Sequence, residues 1–190
     1  MTSVSKWTRR GSRELLATSI FRVDELSLRH PERGDDVPFY VIHSSDWVNV
    51  IPVTPAGEVV LIRQYRAGSD SIVLEIPGGM IDPGEEPIVA AARELAEETG
   101  YVPASLEPLG IVQPNPAIQD NRCHTFLARG AECRVAQDFD TNEKIEVFTA
   151  PLAEIPEMIR DGRIDHSLVV AAFYHLFVTA GVRAEEGLGS

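Results

Sequence analysis

Residues 78–101, GGMIDPGEEPIVAAARELAEETGY, constrain the chain more than any other stretch, because they admit one helix with one buried side. Pro87 suits a first helical turn, Glu85 and Glu86 bring negative charge to the positive end of the helix dipole, and Gly100 stands where a left-handed residue would end it. At about 100° per residue, Ile88, Ala92 and Leu95 fall on one side, while Glu94, Glu97 and Glu98 fan over roughly one hundred degrees of the other. A solvated acidic face is the ordinary explanation of such a pattern. Here Glu94 and Glu98, four apart, repel each other, and Glu97 adds a third charge with no lysine on the same face. Clustered hard oxygen ligands suit Mg²⁺ or Mn²⁺, so the stretch reads as a metal site.

The spacing also resembles a known family. Gly79, five residues, Glu85, seven residues, Arg93-Glu94-Leu95, one residue, Glu97-Glu98, one residue and Gly100-Tyr101 is similar to the complete Nudix box. Only Tyr101 departs from it, where the pattern usually has an aliphatic residue. The resemblance implies an α/β/α sandwich around a mixed central sheet, and a loop-helix-loop that places divalent cations on the diphosphate of a nucleoside diphosphate linked to a group X. It makes Glu94 and Glu98 the principal metal ligands, with Glu97 a further ligand or a water-positioning group and Gly78 the donor of a carbonyl oxygen. Glu85 and Arg93 become a structural pair tying the loop to the helix, with Gly79 and Gly100 as the structural glycines of the box.

The formal charge of −12 bears on the partners, since no basic block offsets it. It disfavours a nucleic-acid polymer or an anionic membrane and leaves a diphosphate to be met locally, by metal ions and a few arginines. Cys123 and Cys133 are the only cysteines, without the spacing of a zinc site, and read as structural thiols in a reducing compartment. With no apolar leader at the N-terminus and no span-length apolar run, the expectation is a cytoplasmic protein.

Along the chain, residues 18–30 and Pro38–His43 alternate on either side of the polar PERGDD, so residues 1–43 read as an N-terminal antiparallel strand hairpin and 44–190 as one Nudix domain. In the ADP-ribose pyrophosphatase branch such a sheet exchanges between protomers, which makes it the expected dimerisation element of a homodimer. Trp47 opens two β-branched strands separated by Thr-Pro-Ala-Gly; the second ends in Gln64-Tyr65-Arg66, and the next, Ile72–Ile76, runs into Pro77-Gly78-Gly79. This arrangement resembles the ADP-ribose and nucleotide-sugar branch, in which the corresponding Arg and Glu line the pocket. Arg66 is therefore the expected diphosphate clamp and Glu75 a further substrate-binding candidate, with Arg63 and Arg122 as alternative clamps. Folding should be indifferent to Arg66, a strand-end side chain beside a pocket.

Strands are expected over Leu106–Gln113 and Cys123–Ala128, flanking PNPAIQDN. By resemblance that Pro-rich loop selects X, with Trp47 and Pro116 as substrate contacts, and Pro114-Asn115-Pro116 is closer to nucleotide-sugar hydrolases than to many ADP-ribose enzymes. His124 reads as a lone packed or solvated histidine. The acidic loop DFDTNE, 138–143, precedes the strand Ile145–Thr149; in similar enzymes a loop Glu here activates water, so Glu143 is the first choice of base and Glu146 the alternative. Helices follow over about Leu152–Asp161 and Ser167–Ala180. Together these imply Mg²⁺-dependent hydrolysis of a nucleoside diphosphate sugar or ADP-ribose. The alternatives are a mutator-type nucleoside triphosphate pyrophosphohydrolase or a Nudix-fold sensor that binds ADP-ribose without cleaving it.

Overall fold

The computed structural model describes residues 4–138 and 144–179, and its contacts divide the chain into two units: Met1–Ser45 with Gln113–Arg122, and Asp46–Val112 with Cys123–Ser190. The first unit is a three-stranded antiparallel sheet, β1 Thr8–Ala17, β2 Phe21–Arg29 and β3 Asp36–Ser44. The sequence suggests only the hairpin of β2 and β3. All ten residues of β1 are exposed, so the strand has no buried face whose alternation could have betrayed it. Ile42 of β3 also forms a parallel bridge with Gln119, which joins the Pro-rich segment to this sheet.

In the second unit the strands are β4 Trp47–Val53, β5 Glu58–Arg66, β6 Ser71–Glu75, β7 Gly78–Met80, β9 Ser105–Val112, β10 Cys123–Arg129 and β12 Ile145–Pro151. They form one sheet in the order β12-β5-β4-β10-β9, with β6 on β5 and β7 on β4. β10 runs parallel to β4 and the other pairs are antiparallel, so the sheet is mixed. A two-residue ribbon pairs β8 Tyr101–Val102 with β11 Glu132–Cys133.

Helix α1, Pro87–Thr99, covers one face of this sheet, burying Ala90, Ala91 and Leu95 against Val48, Val50, Phe126 and Ala128. Ile88 and Ala92, expected on this side with Leu95, are exposed because the helix is turned so that the arc through Ala91, Leu95 and Glu98 meets the sheet. A 3-10 turn and α2, Ile155–Arg160, join α3, Ser167–Thr179, on the other face, where Phe173 and Leu176 meet Ile51, Leu61, Leu74 and Leu127. The result is an α/β/α sandwich around a mixed sheet, with antiparallel strands at the N-terminus. Strand alternation then assigns sides: Val59, Leu61 and Arg63 of β5 share the α2/α3 face, and Val60, Ile62, Gln64 and Arg66 share the α1 face. Gly100 ends α1 in the left-handed region at φ 75, its N–H on the Ala96 carbonyl at 2.8 Å; a Cβ there would lie 2.5 Å from the Val135 carbonyl oxygen.

Candidate active site on helix α1

Arg93 is the hub of the acidic face. Its guanidinium forks onto Glu85, Nε to Oε1 and Nη2 to Oε2 at 3.0 Å each, while Nη2 also donates to the Met80 carbonyl at 3.2 Å. The hydrogen bond from Arg93, aided by the Asp82 N–H, holds the Glu85 carboxyl below its usual range, and Arg93 is raised chiefly by Glu85. The loop before α1 and the second turn of the helix are thus joined through one side chain. Nη1 reaches further, to Glu94 Oε1 at 2.8 Å and Glu97 Oε2 at 3.1 Å. One guanidinium charge is shared among three carboxylates.

Glu98 faces the sheet. It is 4% exposed and accepts the Gly78 N–H at 2.9 Å, so β7 and the last turn of α1 are pinned together through a buried carboxylate. Gly78 and Gly79 are glycines for different reasons. A Cβ at Gly78 would run into the Val48 backbone carbonyl, whereas one at Gly79 would stand 2.6 Å from Glu94 Oε2, the mobile end of a side chain. Gly79→Ala is therefore expected to fold with little loss of melting temperature, yet to push the Glu94 carboxylate aside and cut kcat/KM by about a hundredfold. Steady-state kinetics beside a thermal melt checks it.

Among the described residues no three His, Cys, Asp or Glu side chains converge into a ready-made ion cage. The chemistry of the donors nevertheless suits a hard divalent cation: Glu94 and Glu98 lie one turn apart on α1, Glu97 lies beside them, and backbone carbonyls of β7 are adjacent. Arg93 occupies two of these carboxylates in this arrangement.

Glu75 and Arg66 come together on the α1 face. Glu75, 2% exposed, takes the Arg66 fork through Nε at 2.9 Å and Nη2 at 2.5 Å, and Gln64 Nε2 reaches the same carboxylate at 3.3 Å. The sequence did not single out Gln64 as a partner of this pair, though its spacing of two from Arg66 on a strand was the available signal. Glu146 is placed elsewhere. It shares the face of Phe148 and Ala150, opposite α1, and its carboxylate meets Arg63 Nη1 at 3.3 Å while Arg63 lies over the Phe148 ring. Arg63 therefore also faces away from α1. Glu143 lies outside the described residues. The chain leading to it is tied to α1, Asp138 N–H to the Glu97 carbonyl at 2.9 Å and Gln137 Nε2 to the Glu98 carbonyl at 2.8 Å.

Trp47, half-buried, opens β4 between Met80 of β7 and Cys123 of β10, beside the glycines of the loop. Pro116 is exposed in the segment 113–122 of the first unit. His124 is not alone: its Nε2 lies 3.3 Å from Asp46 Oδ2. Burial pushes the Cys123 thiol up to about 12, with Asp46 adding to the shift, which suits an inert structural thiol.

The fold thus sets a loop-helix-loop with three clustered carboxylates on one helix against one face of a mixed sheet. The model of the NUDIX domain matches residues 45–173. The chain is 34% identical to the methanol dehydrogenase activator of Bacillus methanolicus, over 82% of this chain and 83% of that one, and 28% identical to the ADP-ribose pyrophosphatase of Bacillus subtilis, over 73% and 76%. A crystal structure of an ADP compounds hydrolase superposes with a TM-score of 0.84 at 23% identity, covering 96% of this chain and 100% of that one, which is a likeness of fold. The chain belongs to the Nudix family. It is a hydrolase acting on phosphoric anhydrides.

Proposed function

We propose that this Nudix hydrolase cleaves the diphosphate of a nucleoside diphosphate sugar or ADP-ribose by attack of water, giving a nucleoside monophosphate and a sugar phosphate. One observation carries the reading: the three carboxylates of α1 and the Arg66–Glu75 pair share one face of the sheet. A divalent cation, Mg²⁺ first and Mn²⁺ second, would be held by Glu94, Glu98, Glu97 and the Gly78 carbonyl, where it would neutralise phosphate charge and acidify water. Arg66, aimed by Glu75, binds the diphosphate oxygens, and Trp47 and Pro116 contact the nucleoside diphosphate-linked group. Glu85 and Arg93 hold the loop to the helix so that the carboxylates keep their spacing.

Glu143 is the general base, with Glu97 as a water-positioning group. The anchoring of Gln137 and Asp138 on the end of α1 supports a base from the residues that follow, and the side taken by Glu146 speaks against that residue. We place the enzyme in the cytoplasm, in keeping with two unpaired thiols and with the finding that no described helix is long and apolar enough to cross a membrane.

A panel of ADP-ribose, GDP-mannose, ADP-glucose, UDP-glucose and deoxynucleoside triphosphates, assayed with Mg²⁺ for monophosphate and sugar phosphate, tests the reading. Hydrolysis confined to the triphosphates would overturn it. The protein is further expected to be a homodimer joined through its N-terminal strands, so deletion of residues 1–43 should abolish dimerisation and most activity together. A fully active monomer in sedimentation velocity would contradict this.

A further inference from the structure

The segment 113–122 leaves the Nudix sheet at Val112 and returns to it at Cys123, whose neighbour across the sheet is Trp47, itself paired with Met80 of the glycine strand. Its own fastening lies in the first unit. Ile42 N–H donates to the Ile118 carbonyl at 2.7 Å and Asp120 N–H to the Ile42 carbonyl at 3.4 Å, while Ile118 and Gln119 fold back on the Asn115 carbonyl at 3.1 and 2.8 Å. Asn121, 3% exposed, donates to the Ser45 carbonyl at 3.3 Å.

A side-chain cluster completes the attachment. His43 Nδ1 and Asp120 Oδ2 are 2.5 Å apart, and since a carboxylate only accepts, the nitrogen carries the proton. On the other side of the ring, Nε2 lies 3.3 Å from Asp24 Oδ2 without the alignment of a hydrogen bond, and Asp24 is held by Arg22 Nε at 3.0 Å. Arg22 and His43 are direct partners across β2 and β3. The imidazole is therefore fixed by two strands before it takes Asp120, which is half exposed and would otherwise be tethered only by backbone.

We propose that His43 is a positioning residue for the substrate: its bond to Asp120 latches the segment 113–122 in the conformation that reads X. The inference rests on the reading that this segment contacts the group linked to the nucleoside diphosphate. Two prolines at its start, Pro114 and Pro116, and one turn on the Asn115 carbonyl leave the segment few ways to move, so a single well-oriented contact at Asp120 selects among them.

The test uses the full-length enzyme and the variants His43→Ala, Asp120→Ala and their combination. Hydrogen exchange of the 113–122 amides reports the latch without reference to substrate; kcat and KM on the best substrate of the panel report its use. Each single variant should lose about tenfold of the protection at Ile118 to Asp120, as expected for one charge-assisted hydrogen bond, and raise KM about tenfold with kcat within about twofold. The double variant should be no worse than either single one, because both remove the same contact. Unchanged protection in both single variants would overturn the latch. Lost protection with unchanged KM would overturn its role in positioning substrate, while leaving the hydrolysis reading intact. Asp120→Ala, which truncates a half-exposed side chain and removes the acceptor, keeps the test decisive if His43→Ala folds poorly.

Discussion

Glu98→Gln is expected to lower kcat/KM by at least about a hundredfold and to leave the protein folded. The two effects separate because the carboxylate has two tasks. Its structural task is to accept the Gly78 N–H, and an amide oxygen of the same shape can still do so. Its proposed chemical task is to bring negative charge to a cation beside Glu94, which an amide cannot do. Loss of a direct ligand should exceed the tenfold to hundredfold effect typical of residues that merely support one. Relief of the repulsion between positions 94 and 98 is worth a few tenths of a kcal/mol, so the melting temperature of the metal-free protein should hold or rise slightly. Near-normal turnover at saturating Mg²⁺ would remove Glu98 from the metal site.

Arg66→Ala is expected to damage both stability and catalysis. From the sequence, a strand-end arginine should be irrelevant to folding, and the structure corrects that reasoning. Glu75 has a side chain 3% exposed, and the Arg66 fork neutralises it. Breaking a fully buried ion pair by removing one partner costs about 3–5 kcal/mol. Arg66 is 44% exposed, so water screens the pair, and roughly 2 kcal/mol is the reasonable expectation, or about 4–8 °C in melting temperature. Glu75→Gln combined with Arg66→Ala should recover most of that loss, since no buried charge then stands uncompensated.

Arg66→Lys separates the two roles. It keeps a cation near Glu75 but loses the planar fork, so stability should fall less than in Arg66→Ala, while kcat/KM drops about tenfold to hundredfold. A wild-type melting temperature in Arg66→Ala would show that the pair contributes nothing net. Wild-type kcat/KM in both variants would return Arg66 to a role in folding alone.

Helix α1 was legible in the sequence because what starts and stops it is local, a proline in its first turn and a glycine with φ 75 after its last. Its 3.6-residue period placed Leu95 on the buried side but misplaced Ile88 and Ala92, which are exposed while Ala90 and Ala91 are buried. The β4, β5, β10 and β12 strands were legible for the same reason, since β-branched alternation is a property of neighbours in the chain. Alternation says that Arg63 and Arg66 point to opposite sides of β5, yet it cannot say which side receives α1, because that depends on helices that arrive later in the chain. Only the tertiary structure therefore sent Glu146 and Arg63 to the α2/α3 face and Arg66 with Glu75 to the α1 face. The same limit hid β1, which has no buried side, the pairing of His124 with Asp46, and the joining of the Pro-rich segment to β3. β1 pairs with the strand that follows it and left no alternation to read, whereas the other two rest on contacts between residues distant in sequence, and the pattern of a single stretch holds no record of such a partner.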